Sequence, residues 1–248
     1  MITLLINTLG ALGLINGLSQ KQISDMYVTL ITPSPATFSI WSIIYLLLLT
    51  SVIVMIVKKD DSYYKSAIEE ITVLFRISCI LNVAWIVTFS LVQIELSVIF
   101  ILGFVIVLSL ICLKLKKIQV GNHRLLPLTF GLYTGWLFIA TVVNIAAALV
   151  KLKWNGFGIN DEIWAITILI IAVILAFLVL QKNRNAAFPL PLAWGYFGIY
   201  KFLESPQGFN NKFVFLQIIA LVGMAVLIGM AAVQLYLNHF ELLPEKSD

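Results

Sequence analysis

Charged residues are scarce in this sequence. Its 16 Lys and Arg and 12 Asp and Glu amount to 11% of 248 residues, where soluble domains carry roughly 25%. Metal-binding and nucleophilic side chains are scarcer still. The two cysteines, Cys79 and Cys112, both fall inside apolar stretches. They are too few and too far apart for a disulfide framework or a metal cluster, and they are expected to pack as small apolar side chains. The two histidines, His123 and His239, lie near the ends of apolar stretches with no second ligand at helical spacing, so no metal or haem-iron site is in view. The sequence offers no evident nucleophile–base pair and no phosphate-cradling loop, which argues against hydrolytic and kinase chemistry.

Apolar residues fill the space that charge leaves. They make up 61% of the chain, and the mean hydropathy is +1.02. Eight apolar stretches, separated by short polar connections, cover about residues 2–18, 36–57, 70–92, 94–114, 126–150, 161–181, 186–203 and 213–238. A bilayer core about 30 Å thick takes about 20 apolar residues per helix. A helix also satisfies its own backbone hydrogen bonds in lipid, whereas a barrel would show short alternating segments. The expected fold is therefore all-α, a polytopic membrane helical bundle. The first stretch lacks a basic n-region, and no clear A-x-A-like cleavage site follows it, so it reads as a retained helix rather than a signal peptide.

The formal charge of +4 does not point to nucleic acid, because basic residues of membrane proteins gather in cytoplasmic loops. Lys58, Lys59, Lys65, Lys114, Lys116, Lys117, Arg124, Lys182, Arg184 and Lys246 fall on one side of the expected topology. Lys21, Lys151, Lys153, Lys201 and Lys212 fall on the other. This bias places both termini in the cytoplasm and the loop from Ser19 to Pro35 outside, and it suits a bacterial inner or plasma membrane. That loop and the charged one from Lys58 to Ile68 are the two long connections; the second reads as plain solvated chain. Pro33 and Pro35 favour extended backbone before a helix start, with Ser34 as the expected N-cap. Asn155-Gly156 and Ser205-Pro206 mark later turns.

The inward polar and aromatic residues are left to carry function. Trp41 and Tyr45 are four residues apart and share a helix face, with Thr37 and Phe38 one turn earlier. Asn82, Trp85 and Phe89 follow the same spacing in the third stretch, as do Tyr133, Trp136, Ala140 and Asn144 in the fifth. Three converging stripes of this kind make a mostly apolar pocket with a few hydrogen-bonding groups, the usual composition of a small-molecule site. Composition alone favours a plainer account, with interfacial aromatics and asparagines that pack helices together. Arg76, inside the third stretch, has two readings: a stem in lipid with its head at the surface, or a paired charge in a cavity. Glu95 in the turn before the fourth stretch reads as solvated. The seventh stretch is short, contains Pro191, and has Gly195 and Gly198 for close approach, features that also occur at transporter sites.

These motifs resemble those of the TspO/MBR family, the tryptophan-rich sensory proteins related to translocator protein. Pro33 and Pro35 followed by Phe38, Trp41 and Tyr45 look like the start of that family's second helix. Leu81-Asn82-Val83-Ala84-Trp85 with Phe89 is similar to its third-helix motif. Leu126-Pro127 with Tyr133, Trp136, Ala140-Thr141 and Asn144 resembles its fifth. The resemblance covers about residues 1–150. It implies a five-helix core over 1–152 with a cavity beneath the loop between helices one and two, and three additional transmembrane helices over 153–248. Those added helices would close over the cavity, form an oligomer surface or carry a separate function. The family's cavity takes porphyrins, sterol-like lipids and synthetic aromatic ligands. By this likeness Trp41, Asn82, Trp136 and Ala140 would line it, with Tyr45 and Phe89 beside them. The implied partners are the lipid bilayer, a hydrophobic small molecule such as a tetrapyrrole or sterol-like lipid, and a second copy in a homo-oligomer. No cofactor is implied, a porphyrin entering only as ligand. Three functions follow in order: a ligand-binding sensory or regulatory protein, a transporter or permease for a small hydrophobic substrate, and a membrane enzyme degrading bound porphyrin.

Overall fold

The computed structural model describes residues 2–245, leaving Lys246 of the basic count outside the described residues. Among them are nine α-helices: α1 (Ile2–Ala11), α2 (Gln20–Met26), α3 (Ile40–Val57), α4 (Ser62–Ser90), α5 (Ile94–Ile118), α6 (Leu125–Lys151), α7 (Asp161–Asn183), α8 (Pro189–Glu204) and α9 (Val214–Leu237). Two short 3-10 turns, Pro35–Ser39 and Gly156–Gly158, precede α3 and α7. The all-helical polytopic bundle expected from the sequence is what forms. Its outer surface is apolar. Leu46, Ile80, Ile106 and Ile174 are each more than half exposed, a surface suited to lipid chains and not to water.

Among the described residues, six helices are long and apolar enough to cross a membrane: α3 with its 3-10 turn, α4, α5, α6, α7 and α9. The other two expected spans fall short. α1 has 10 residues, about 15 Å at the helical rise. It ends because Gly13 and Gly17 adopt φ of +73° and +72°, a left-handed conformation that glycine takes without steric cost. α8 has 16 residues, about 24 Å. It is the most interior of the short elements, with Leu192, Tyr196, Ile199 and Leu203 all buried. Pro189 and Pro191 sit in its first turn, where a proline interrupts no helical hydrogen bond, so Pro191 leaves the helix continuous.

Both long connections differ from expectation. The Ser19–Pro35 loop contains α2, held by a capping box in which Ser19 Oγ accepts from the Gln22 N–H and Gln22 accepts from the Ser19 N–H. Most of the Lys58–Ile68 loop belongs to α4. Asp61 Oδ1 accepts from the N–H groups of Tyr63 and Tyr64, satisfying donors that the first helical turn leaves free. Tyr63 is buried and stacks on the His123 ring at 4.1 Å. A charged segment read as solvated is thus anchored by two aromatic residues.

The helices pack as antiparallel neighbours α4–α5, α5–α6 and α8–α9, and α6 also lies against α8. Close approach requires glycine at two places. A Cβ on Gly135 of α6 would stand 2.1 Å from the Phe188 carbonyl oxygen, and one on Gly198 of α8 would stand 2.1 Å from Thr37 Oγ1. The second contact fixes the start of α3. Ser34 occupies the expected N-cap position but makes no capping hydrogen bond. Its N–H instead donates to the Gly198 carbonyl at 2.9 Å, and Trp194 Nε1 donates to the Thr37 carbonyl at 2.9 Å. Glu95, expected to be solvated, accepts from Lys151 Nζ at 2.6 Å and ties α5 to the end of α6. Arg76 is exposed on the outer face of α4, so it does not enter a cavity.

Candidate ligand-binding site

The 3.6-residue repeat brings the aromatic stripes of α3, α4 and α6 together, with the Trp41 ring at their centre. It stacks on Tyr45 at 5.2 Å and 14°, lies 6.0 Å from Trp85, and meets Tyr133 and Trp136 edge-on, each at 6.1 Å. Phe38 meets the other side of Trp136 at 6.1 Å and 87°. Offset and edge-on arrangements of this kind suit the ring quadrupoles. The cluster fixes the ring positions before any ligand arrives.

A slot opens beside this cluster, with a void of about 680 Å³, its mouth included. Trp41, Trp85, Phe89, Trp136, Ala140 and Asn144 line it, six of the nine residues expected at the site. The other three lie behind that wall. Tyr45 faces a neighbouring cavity beside α1, which shares Phe38, Trp41 and Gln20 with the slot. Asn82 and Tyr133 form a buried polar knot. Asn7 Nδ2 donates to Asn82 Oδ1 at 2.5 Å, and Asn82 Nδ2 donates to the Tyr133 hydroxyl at 2.9 Å.

This arrangement changes what the asparagines can do. Asn144 Oδ1 accepts from Trp85 Nε1 at 2.9 Å, and its Nδ2 donates to Ser97 Oγ at 3.0 Å. Both asparagines therefore spend their hydrogen bonds within the protein and orient the aromatic walls, rather than presenting free groups to a propionate or ring edge. The free donor is elsewhere. Trp136 Nε1 is buried and has no hydrogen-bond partner. The Tyr45 hydroxyl lies near Asn82 but makes no hydrogen bond of normal geometry. Buried polar atoms almost always find partners, so Trp136 Nε1 is an unsatisfied donor on a residue of the slot wall.

Parts of the slot were not legible in the sequence. Gln20 and Ser24 of α2 cover it, and Gly195 and Ile199 of α8 complete its wall, with Gly195 packed against Ile139. α2 lies within a segment read as loop. The glycine pair in α8 signalled close approach but not its target. Of the helices after residue 152, α8 lies against the aromatic slot.

Fold and site together define an integral membrane protein, a polytopic helical bundle with an aromatic-walled slot among its helices. The chain belongs to the TSPO-like protein family, whose model matches residues 1–233. The match continues beyond residue 152 through α7 and α8 and into α9. No curated protein and no solved structure matches the chain.

Proposed function

We propose that this protein binds a large apolar ligand, flat and aromatic in the manner of a porphyrin, in the slot between α3, α4, α6 and α8, in a sensory or regulatory role. The observation that carries this reading is the combination of preset tryptophan walls with the unpartnered indole N–H of Trp136 on one of them. The slot walls of Trp41, Trp85 and Trp136 offer stacking surface to a planar ring system.

Transport finds less support. The seventh stretch, whose Pro191 and glycines also occur at transporter sites, is a continuous helix from Pro189 to Glu204. Arg76 faces outward, and the Asn7–Asn82–Tyr133 knot lies behind the slot rather than along a path through it. Degradation of bound porphyrin would use the same tryptophans and is separated from binding by the appearance of product.

The test is titration of the purified, detergent-solubilised protein with protoporphyrin IX, followed by tryptophan quenching and porphyrin absorption. Saturable binding is expected, weakened at least about tenfold, or 1.4 kcal/mol, in the Trp41→Ala, Trp136→Ala variant. Absence of saturable binding, or equal affinity in the variant, would overturn the proposal.

A further inference from the structure

A second cavity lies away from the slot, at the end of the bundle where α6 stops and α7 and α9 begin. Its inner part has a void of about 770 Å³, mouth included, between the chain at Leu30–Ile31, the last turns of α6 and the first turns of α7. Ala146, Ala165 and Ile168 form its apolar floor, with Trp154 and Trp164 at the side. The Trp164 ring is held by its Nε1 donating to the Gly156 carbonyl at 2.8 Å, and Trp154 lies against it at 5.0 Å. This part opens into a polar groove through Leu30, Asp161 and Phe209, which line both.

The groove carries one charge of each sign. Asp161 and Lys212 both line it. Among the described residues neither forms an ion pair, with each other or with any other group. Lys212 Nζ has only the face of Phe213, at 5.5 Å. Opposite charges that share a groove without pairing fit a guest that carries both charges itself. The apolar cavity next to them fits hydrocarbon. Helix ends in a spanning bundle sit at headgroup depth, where Trp rings also concentrate. Interfacial tryptophans alone would explain the rings. They explain neither the apolar void nor the unpaired Asp161 and Lys212.

We infer that this cavity and groove bind one zwitterionic diacyl phospholipid. Its ammonium group lies between Asp161 and the tryptophan faces, its phosphate meets Lys212, and an acyl chain enters the cavity floored by Ala146 and Ile168. The contacts are non-covalent: an exposed ion pair at each end of the headgroup and a cation–π contact with indole. The site shares no lining residue with the aromatic slot.

The experiment is native mass spectrometry of the full chain in detergent, titrated in parallel with phosphatidylethanolamine, phosphatidylglycerol and diacylglycerol of the same chains. One phosphatidylethanolamine per protein is expected to bind most tightly, and Asp161→Asn should weaken it about threefold, the loss suited to an exposed charge contact. Lys212→Gln should weaken both phospholipids by about the same factor and leave diacylglycerol unchanged. Both side chains are exposed, so the substitutions leave the fold intact. Equal binding of the three lipids, or a phosphatidylethanolamine preference that survives the Asp161→Asn, Lys212→Gln double variant, would overturn the assignment and leave ordinary boundary lipid.

Discussion

Trp85 donates its indole N–H to Asn144 Oδ1 at 2.9 Å, joining α4 to α6 directly beneath the slot. Asn144 passes the connection on to Ser97 of α5, and Ser97 Oγ donates in turn to the Ile94 carbonyl at 2.7 Å. Three helices are thereby held in one register by a single amide. Asn144→Leu is expected to cost about 1 kcal/mol, since it leaves the Trp85 N–H buried without an acceptor and interhelical hydrogen bonds in membranes are individually modest. The midpoint of thermal unfolding in detergent should fall by a few degrees. In a double-mutant cycle Trp85→Phe should cost less in the Asn144→Leu background than in the parent, and strict additivity would show that the bond carries no stability.

Trp136→Phe removes the free indole donor while keeping an aromatic wall. An acceptor-bearing ligand such as a porphyrin carboxylate should then bind about tenfold more weakly, the cost of a hydrogen bond to a charged group. A polycyclic hydrocarbon with no acceptor should bind nearly as before. Equal losses for both ligands would mean that Trp136 acts through shape alone.

The glycine contacts predict a graded series. Gly135→Ala forces a Cβ against the Phe188 carbonyl at 2.1 Å. A backbone atom cannot swing away, so a loss of about 3 kcal/mol or failure to fold is expected. Gly198→Ala meets the Thr37 side chain, also at 2.1 Å, and should displace the 3-10 turn and weaken ligand binding at Phe38 and Trp41. Gly229→Ala meets nothing within 4 Å and should be neutral or stabilise α9 by up to about 1 kcal/mol. Thermal unfolding of the three variants checks the order.

The segment after α9 is fastened back onto the bundle. Arg124 donates to both Glu241 carboxylate oxygens, at 2.7 and 2.9 Å, and Ala186 N–H donates to the Leu242 carbonyl at 2.9 Å. The hydrogen bonds from Arg124 hold the Glu241 carboxyl below the usual carboxylate range. A group whose pKa is lowered in the folded state contributes its stabilisation above its unfolded value, and that contribution is lost as pH falls through the lowered one. Proteolysis of residues 238–245 in detergent should therefore be slow at neutral pH and speed up below about pH 4. In Arg124→Gln it should be faster at neutral pH, and its pH dependence should largely disappear. An unchanged acid response in that variant would assign the effect to another group.

The charge bias predicts the orientation. In a variant lacking Cys79 and Cys112, Gln207→Cys in the connection between α8 and α9 should react with a membrane-impermeant thiol reagent on intact cells. Asn122→Cys, between α5 and α6, should react only once the membrane is opened. The reverse labelling would invert the orientation of the bundle.

Much of this architecture follows from the sequence by itself. Long runs free of charge such as Ile43–Val57 and Ile163–Leu180 leave a helix in lipid as the economical way to satisfy the backbone. The spacings of Trp41 and Tyr45, of Asn82, Trp85 and Phe89, and of Tyr133, Trp136, Ala140 and Asn144 put each set on one helical face, because 3.6 residues per turn is a local property. Tertiary structure decided which faces meet. No local rule tells that Asn144 binds Trp85, that Asn7 reaches Asn82 across 75 positions of sequence, or that the buried Trp136 indole is left without a partner. Nor does one say that Gly195 and Ile199 of α8 complete a wall begun by α3, α4 and α6. Such contacts depend on how close two helices can come, and that distance is set by glycines whose partners lie far along the chain.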